Sequence, residues 1–179
     1  MKGVVYNVLE EIVSREHGES TWDALLEEAG VDGIYTSLGN YPDEELIAIV
    51  DAASKALGLT HDEVIRWFGQ NALPLFAQRY PALFEPHSEV RTFVLTLNDI
   101  IHPEVRKVYP GAAPPDFVFD ASSPDRVVMD YTSARKLCAF AEGLLFGLAD
   151  FYGEQIAVTQ SECMNRGDDR CRIEIATAA

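Results

Sequence analysis

The stretch Tyr109–Pro115, YPGAAPP, constrains this chain more than any other feature. Three prolines and a glycine forbid regular helix there, because proline fixes φ and removes a backbone donor. Before it, apolar residues recur at helical spacing. Val4, Val5, Val8, Leu9, Ile12 and Val13 share one face, and Gly18 stops that run. Ser20 or Thr21 is expected to cap a short helix carrying Trp22, Leu25 and Leu26 as far as Gly30. Pro42 suits the first turn of the next helix, with Asp43, Glu44 and Glu45 at its positive end, running to about Gly58. Thr60 and Glu63 form a capping-box pattern opening a further helix, which Pro74 should bend or break. Ser88 is expected to cap a last helix with Val90, Phe93, Val94, Leu97 and Ile101 inward.

After the break the period changes. Phe117–Phe119 and residues 126–132, RVVMDYT, read as strands. Residues 135–152 return to helix, and the tail reads as a hairpin of about 155–163 and 170–176. Helices first and antiparallel strands later predict an α+β fold: a helical part over about 1–108 and a mixed part over about 109–179, together one domain.

Composition narrows the function. Hydrophobic residues make up 47% of the 179, so disorder is excluded. With 29 acidic against 14 basic side chains the net charge is −15, and no basic stripe offers a nucleic acid its counter-charge. No apolar run is long enough to span a membrane, and MKGVVYNVLEE turns acidic too soon for a signal peptide. A cytoplasmic location is expected. No phosphate loop, G-x-S-x-G or HExxH is present, so the chain does not read as an enzyme.

Three constellations carry possible chemistry. His102 follows an apolar helical run, so its ring is placed to point inward, as a satisfied core histidine or as a ligand. Tyr131, Ser133 and Arg135 alternate, which on an extended chain puts two hydroxyls and a guanidinium in one row. That row suits a carboxylate or phosphate, and it equally suits a polar strand edge. Cys163 and Cys171 stand symmetrically about Gly167 and face each other in a hairpin, with Cys138 on the preceding helix. Reduced thiols, a Cys163–Cys171 disulfide and a zinc site all fit that spacing.

Taken together, the MKGVVYNVLEE start, His102, Pro114-Pro115 and Y-x-S-x-R resemble the haem nitric oxide/oxygen-binding (H-NOX) family, related to the haem domain of soluble guanylate cyclase. The resemblance spans the chain and is to stand-alone bacterial members. It implies haem b between the helical part and the sheet, with His102 as proximal ligand of ferrous iron. Tyr131, Ser133 and Arg135 would hold the propionates, and Pro115 would press on the macrocycle. Pro103 after the ligand should kink or break its helix. The distal lining would be Val5, Leu9, Leu73, Phe76, Phe140 and Leu144, all apolar. Oxygen-holding members carry a tyrosine where Phe140 stands, so nitric oxide, along with carbon monoxide, is the expected ligand.

The family further implies a structural zinc on Cys138, Cys163 and Cys171, with Gln160 where a fourth, histidine ligand is expected. It also implies a separately encoded histidine kinase or cyclic-di-GMP enzyme as partner, signalled through loss of the His102 bond. Two other readings are a zinc and thiol redox sensor built on the three cysteines, and a haem-free interaction domain.

Overall fold

Apolar residues at helical spacing form the first half as expected. The computed structural model describes residues 1–177; Ala178 and Ala179, the end of the expected domain, lie outside the described residues. Among the described residues there are eight α-helices: α1 (Gly3–His17), α2 (Glu19–Ala29), α3 (Asp43–Leu57), α4 (His61–Arg79), α5 (Pro81–Phe84), α6 (Val90–Val94), α7 (His102–Val108) and α8 (Cys138–Tyr152). A π-helical turn, Leu97–Ile101, joins α6 to α7. The strands are β1 (Asp116–Asp120), β2 (Arg126–Thr132), β3 (Ile156–Glu162) and β4 (Cys171–Thr177). They form one antiparallel sheet in the order β1-β2-β4-β3.

Local chemistry explains several boundaries. The Thr60–Glu63 capping box forms in full. Helix α1 has no side-chain cap; loop carbonyls of Gly39 and Ser37 accept from its Gly3 and Val4 N–H groups at 3.1 Å each. Two capping expectations fail. Neither Ser20 nor Thr21 caps α2, whose N-cap is Gly18; Thr21 instead donates to the His17 carbonyl at 2.8 Å. Ser88 does not cap α6. The Val90 N–H is taken by Glu154 Oε2, 3.2 Å away and 64 residues later.

Pro74 does not end α4 either. The carbonyl it deprives of a donor is that of Gln70, and this faces Gly147 of α8, where a Cβ would come within 2.5 Å. Gly143, one turn earlier, lies so close to α4 that a Cβ would stand 2.1 Å from the Arg66 carbonyl. Beside this seam the buried Glu142 accepts from Arg66 Nε and Nη2 at 2.9 and 2.7 Å.

Two apolar cores result. One joins α1–α4, with Tyr6, Val8, Ile12, Ile49 and Phe68 at its centre. The other lies under the sheet, where Val127, Met129 and Tyr131 of β2 and Cys171, Ile173 and Ile175 of β4 alternate inward. The opposite face is polar, with Arg172 bidentate to Asp130 at 2.8 Å. Phe76 and Val105 pack against both cores.

Candidate functional site

His102 is the first residue of α7 and keeps helical angles (φ −65°, ψ −38°) despite the following proline. The helix break expected at His102 does not occur; the pattern departs from α just upstream, in the π turn. The imidazole is buried, and its ring lies 5.6 Å from that of Phe117 at 26°. Burial, helped by Arg106 and opposed by Asp116, lowers its pKa to about 4. The ring is therefore neutral at pH 7, the form that donates a lone pair to a metal.

Sheet pairing connects this histidine to the Y-x-S-x-R motif. Phe117 of β1 is the register partner of Tyr131 on β2, and their rings are 5.8 Å apart. Tyr131 is buried and its hydroxyl accepts from the Leu137 N–H at 3.0 Å. The motif is not one extended row. The strand ends at Thr132, and the chain turns through Ala134 and Arg135 before α8 starts at Cys138 rather than near 135. The Arg135 N–H donates to Ser133 Oγ at 3.2 Å. Arg135 Nε donates to Asp43 Oδ2, and Nη1 to the Ala113 carbonyl, both at 2.7 Å. Burial pushes the Asp43 carboxyl up, but the N-terminal ammonium and Arg135 outweigh it and hold the group below its usual range. Arg135 is thus placed to grip a carboxylate. Pro115, half-buried, directly precedes β1.

The apolar positions divide between the cores. Leu9, Val5 and Phe140 belong to the helical one, Leu73 and Leu144 to the one under the sheet, and Phe76 touches both. Val5 and Phe140 meet at a shallow apolar hollow, with Leu46, Ile65, Phe68 and Leu137 among its walls. These four were not singled out in the sequence, although the 65, 68, 72 spacing on α4 marks an inward face. Asp43 also went unread, since nothing local ties it to an arginine 92 residues away.

The cysteines converge as their spacing suggests. All three are buried and unbonded, so the disulfide is not formed. Cys138 Sγ lies 3.7 Å from Cys163 Sγ, and Cys171 Sγ lies 4.0 Å from it. Two thiolates on one tetrahedral zinc, each at about 2.3 Å, sit roughly 3.8 Å apart. The donor set therefore fits that ion. Burial pushes the Cys138 thiol up to about 12. Gln160 Nε2 is buried without a hydrogen-bond partner.

The chain matches the Haem-NO-binding family model over residues 2–160. A crystal structure of an H-NOX protein from S. oneidensis in the Fe(II)NO state is 32% identical, with a TM-score of 0.95 and 100% of both chains covered. An NMR structure of an H-NOX domain from Shewanella oneidensis in the Fe(II)CO state is 32% identical, with a TM-score of 0.90 and 99% of each chain covered. A soluble guanylate cyclase of Caenorhabditis elegans is 31% identical over 71 residues, which are 38% of this chain and 10% of that protein. No helix among the described residues is long and apolar enough to cross a membrane.

Proposed function

The chain belongs to the haem-NO-binding family, whose domains are gas-binding haem sensors and not themselves catalysts, and from that membership we propose a ferrous-haem sensor of nitric oxide. Haem b, when bound, would supply a ferrous iron able to take up a gas. His102, with its neutral imidazole, would be the side chain that holds the iron. Tyr131 and Ser133 offer hydroxyls and Arg135 its guanidinium to the two propionates, Arg135 releasing or sharing Asp43 to do so. Pro115, rigid and at the mouth of β1, bears on the macrocycle. Residues 1–179 act as one domain, because both cores contribute to this one site.

Val5, Leu9, Leu73, Phe76, Phe140 and Leu144 line the gas side and offer no hydrogen-bond donor. Bound oxygen carries partial negative charge and needs such a donor; nitric oxide and carbon monoxide do not. Detachment of His102 on binding nitric oxide is the proposed signal. It is passed to a separate histidine kinase or cyclic-di-GMP enzyme if the two states differ in contact with that partner by about 1–3 kcal/mol.

One observation carries the reading: a buried, neutral imidazole stands beside Phe117, whose strand partner Tyr131 opens the carboxylate-gripping motif. The test is an absorption spectrum of purified protein with and without nitric oxide, repeated on His102→Gly. A haem band that shifts with the gas is expected, and is expected to vanish from the variant unless imidazole is added. Colourless protein that refuses haem would sink the proposal.

A zinc held by Cys138, Cys163 and Cys171 is proposed alongside, as a clamp between α8 and the β3–β4 hairpin. The alternative of a thiol redox sensor is weaker. A buried thiol with a raised pKa holds little thiolate at neutral pH and is a poor nucleophile.

A further inference from the structure

The turn that brings His102 into the core is not α-helical. The Ile101 N–H donates to the Thr96 carbonyl at 3.1 Å, and the His102 N–H to that of Leu97, each five residues back. In an α-helix the fifth residue on lies about 140° round the axis. A bond closed at five residues brings it back to roughly the same side, so His102 comes round below the half-buried Leu97. Asn98, Asp99 and Ile100 take up the extra length and are exposed. Such turns hold one residue more than an α turn and occur frequently at functional sites.

Pro103 makes the turn easy to rewind. Moving the Ile101 N–H to the Leu97 carbonyl and the His102 N–H to that of Asn98 exchanges two hydrogen bonds for two. Thr96 keeps its bond from the Ile100 N–H, at 2.9 Å. A donor at position 103 would be a third bond forced to change with them, and proline has none.

The ends of this segment are fixed. Glu154 holds the Val90 N–H, and the hydroxyl of Tyr109, beyond α7, is hydrogen-bonded to that of Tyr80 at the end of α4. In the middle, Asn98 Nδ2 donates to the Phe117 carbonyl at 2.7 Å, tying the turn to the residue whose ring flanks His102.

We infer that the π turn Leu97–Ile101 is the compliant element that holds His102 in place and lets it withdraw, with Asn98 and Pro103 as its positioning residues. The inference rests on the reading of His102 as proximal ligand.

Deleting Asp99 tests it, because removing the surplus residue leaves an α turn and preserves the faces on either side. In haem-free protein, amide exchange at Ile101 and His102 should slow at least tenfold, with α8 unchanged. In haem-loaded protein under nitric oxide, the fraction that keeps His102 attached, read from the absorption spectrum, should rise at least threefold. Asn98→Ala should act oppositely, speeding exchange and lowering the iron–histidine stretching frequency. Unchanged exchange together with an unchanged attached fraction would overturn the inference. Should the deletion fail to fold, Pro103→Ala gives the same decision: slower exchange at Ile101 supports the compliant turn, and wild-type exchange refutes it. If the wild-type chain takes up no haem, the ligand reading fails, and exchange in haem-free protein still decides the compliance of the turn.

Discussion

Gly143→Ala should destabilise the protein although alanine is the better helix former. The added Cβ would stand 2.1 Å from the Arg66 carbonyl oxygen and 2.9 Å from the Gln70 nitrogen. Carbon and carbonyl oxygen rest at about 3.3–3.6 Å, so α4 and α8 must part by roughly 1.2–1.5 Å. Both obstacles are backbone atoms inside a helix, and no side chain can swing aside to relieve them. Overpacking costs about 1–3 kcal/mol, and rigid surroundings put this site near 3. Helix propensity returns about 1 kcal/mol. The net loss of about 2 kcal/mol corresponds to a Tm lower by roughly 4–8 °C for a chain of this size. Parallel urea and thermal denaturation of haem-free protein, followed by circular dichroism, would measure it. A variant at least as stable as wild type would refute the close-seam argument. In loaded protein the same parting should widen the space between Phe140 and Leu144 on one side and Leu73 and Phe76 on the other, so bound gas should escape faster.

The buried imidazole makes stability depend on pH. Its folded pKa of about 4 lies below the unfolded value of about 6.5, so its contribution is complete above pH 6.5 and is lost as pH falls toward 4. Haem-free protein should lose about 2 kcal/mol over that window, discounted for solvent reaching the ring; His102→Leu should flatten this part of the profile, and an unaltered profile would remove the assignment. Arg135→Ala should speed transfer of haem to an acceptor protein, and a wild-type rate would mean the guanidinium does not hold the propionates. Phe140→Tyr should yield an oxygen complex in air that wild type lacks; without one, position 140 does not face the gas. Metal analysis should find about one zinc per chain, lost in Cys171→Ser, with protons released on binding because burial keeps the Cys138 and Cys171 thiols protonated. Metal-free protein that binds no added zinc would leave three plain thiols.

Where neighbours in sequence determine structure, the sequence was readable. The Thr60–Glu63 box, the helix stops at Gly30 and Gly58, and the strand 126–132 depend on residues within a turn or two of each other. What escaped is held from afar. Ser88 lost its role to Glu154, the Gln70 carbonyl that Pro74 leaves without a donor lies against Gly147 of α8, and Arg135 is turned by a bend and met by Asp43. The π turn escaped for another reason. Leu97 and Ile101 keep ordinary helical spacing, and side-chain periodicity does not say which carbonyl each amide will choose. Of the candidate site, His102 and the cysteine cluster were legible because chemistry-bearing side chains were already paired with the right spacing. The walls of the hollow were not, since Leu46, Ile65 and Phe68 look like any other core residues.

The pairing of α4 with α8 also sets a timetable. Arg66 and Glu142, which meet across that seam, are separated by 76 residues. At a synthesis rate of about 5–20 residues per second, the first waits roughly 4–15 seconds for the second to be made. Throughout that interval the face of α4 that will meet α8, at Gly69 and Leu73, has no surface to cover it. That side of α4 stays open to water, or to any apolar partner, until α8 has been made. Any group lodged between α4 and the sheet can be enclosed only after α8 and the last strand, β4, have been made.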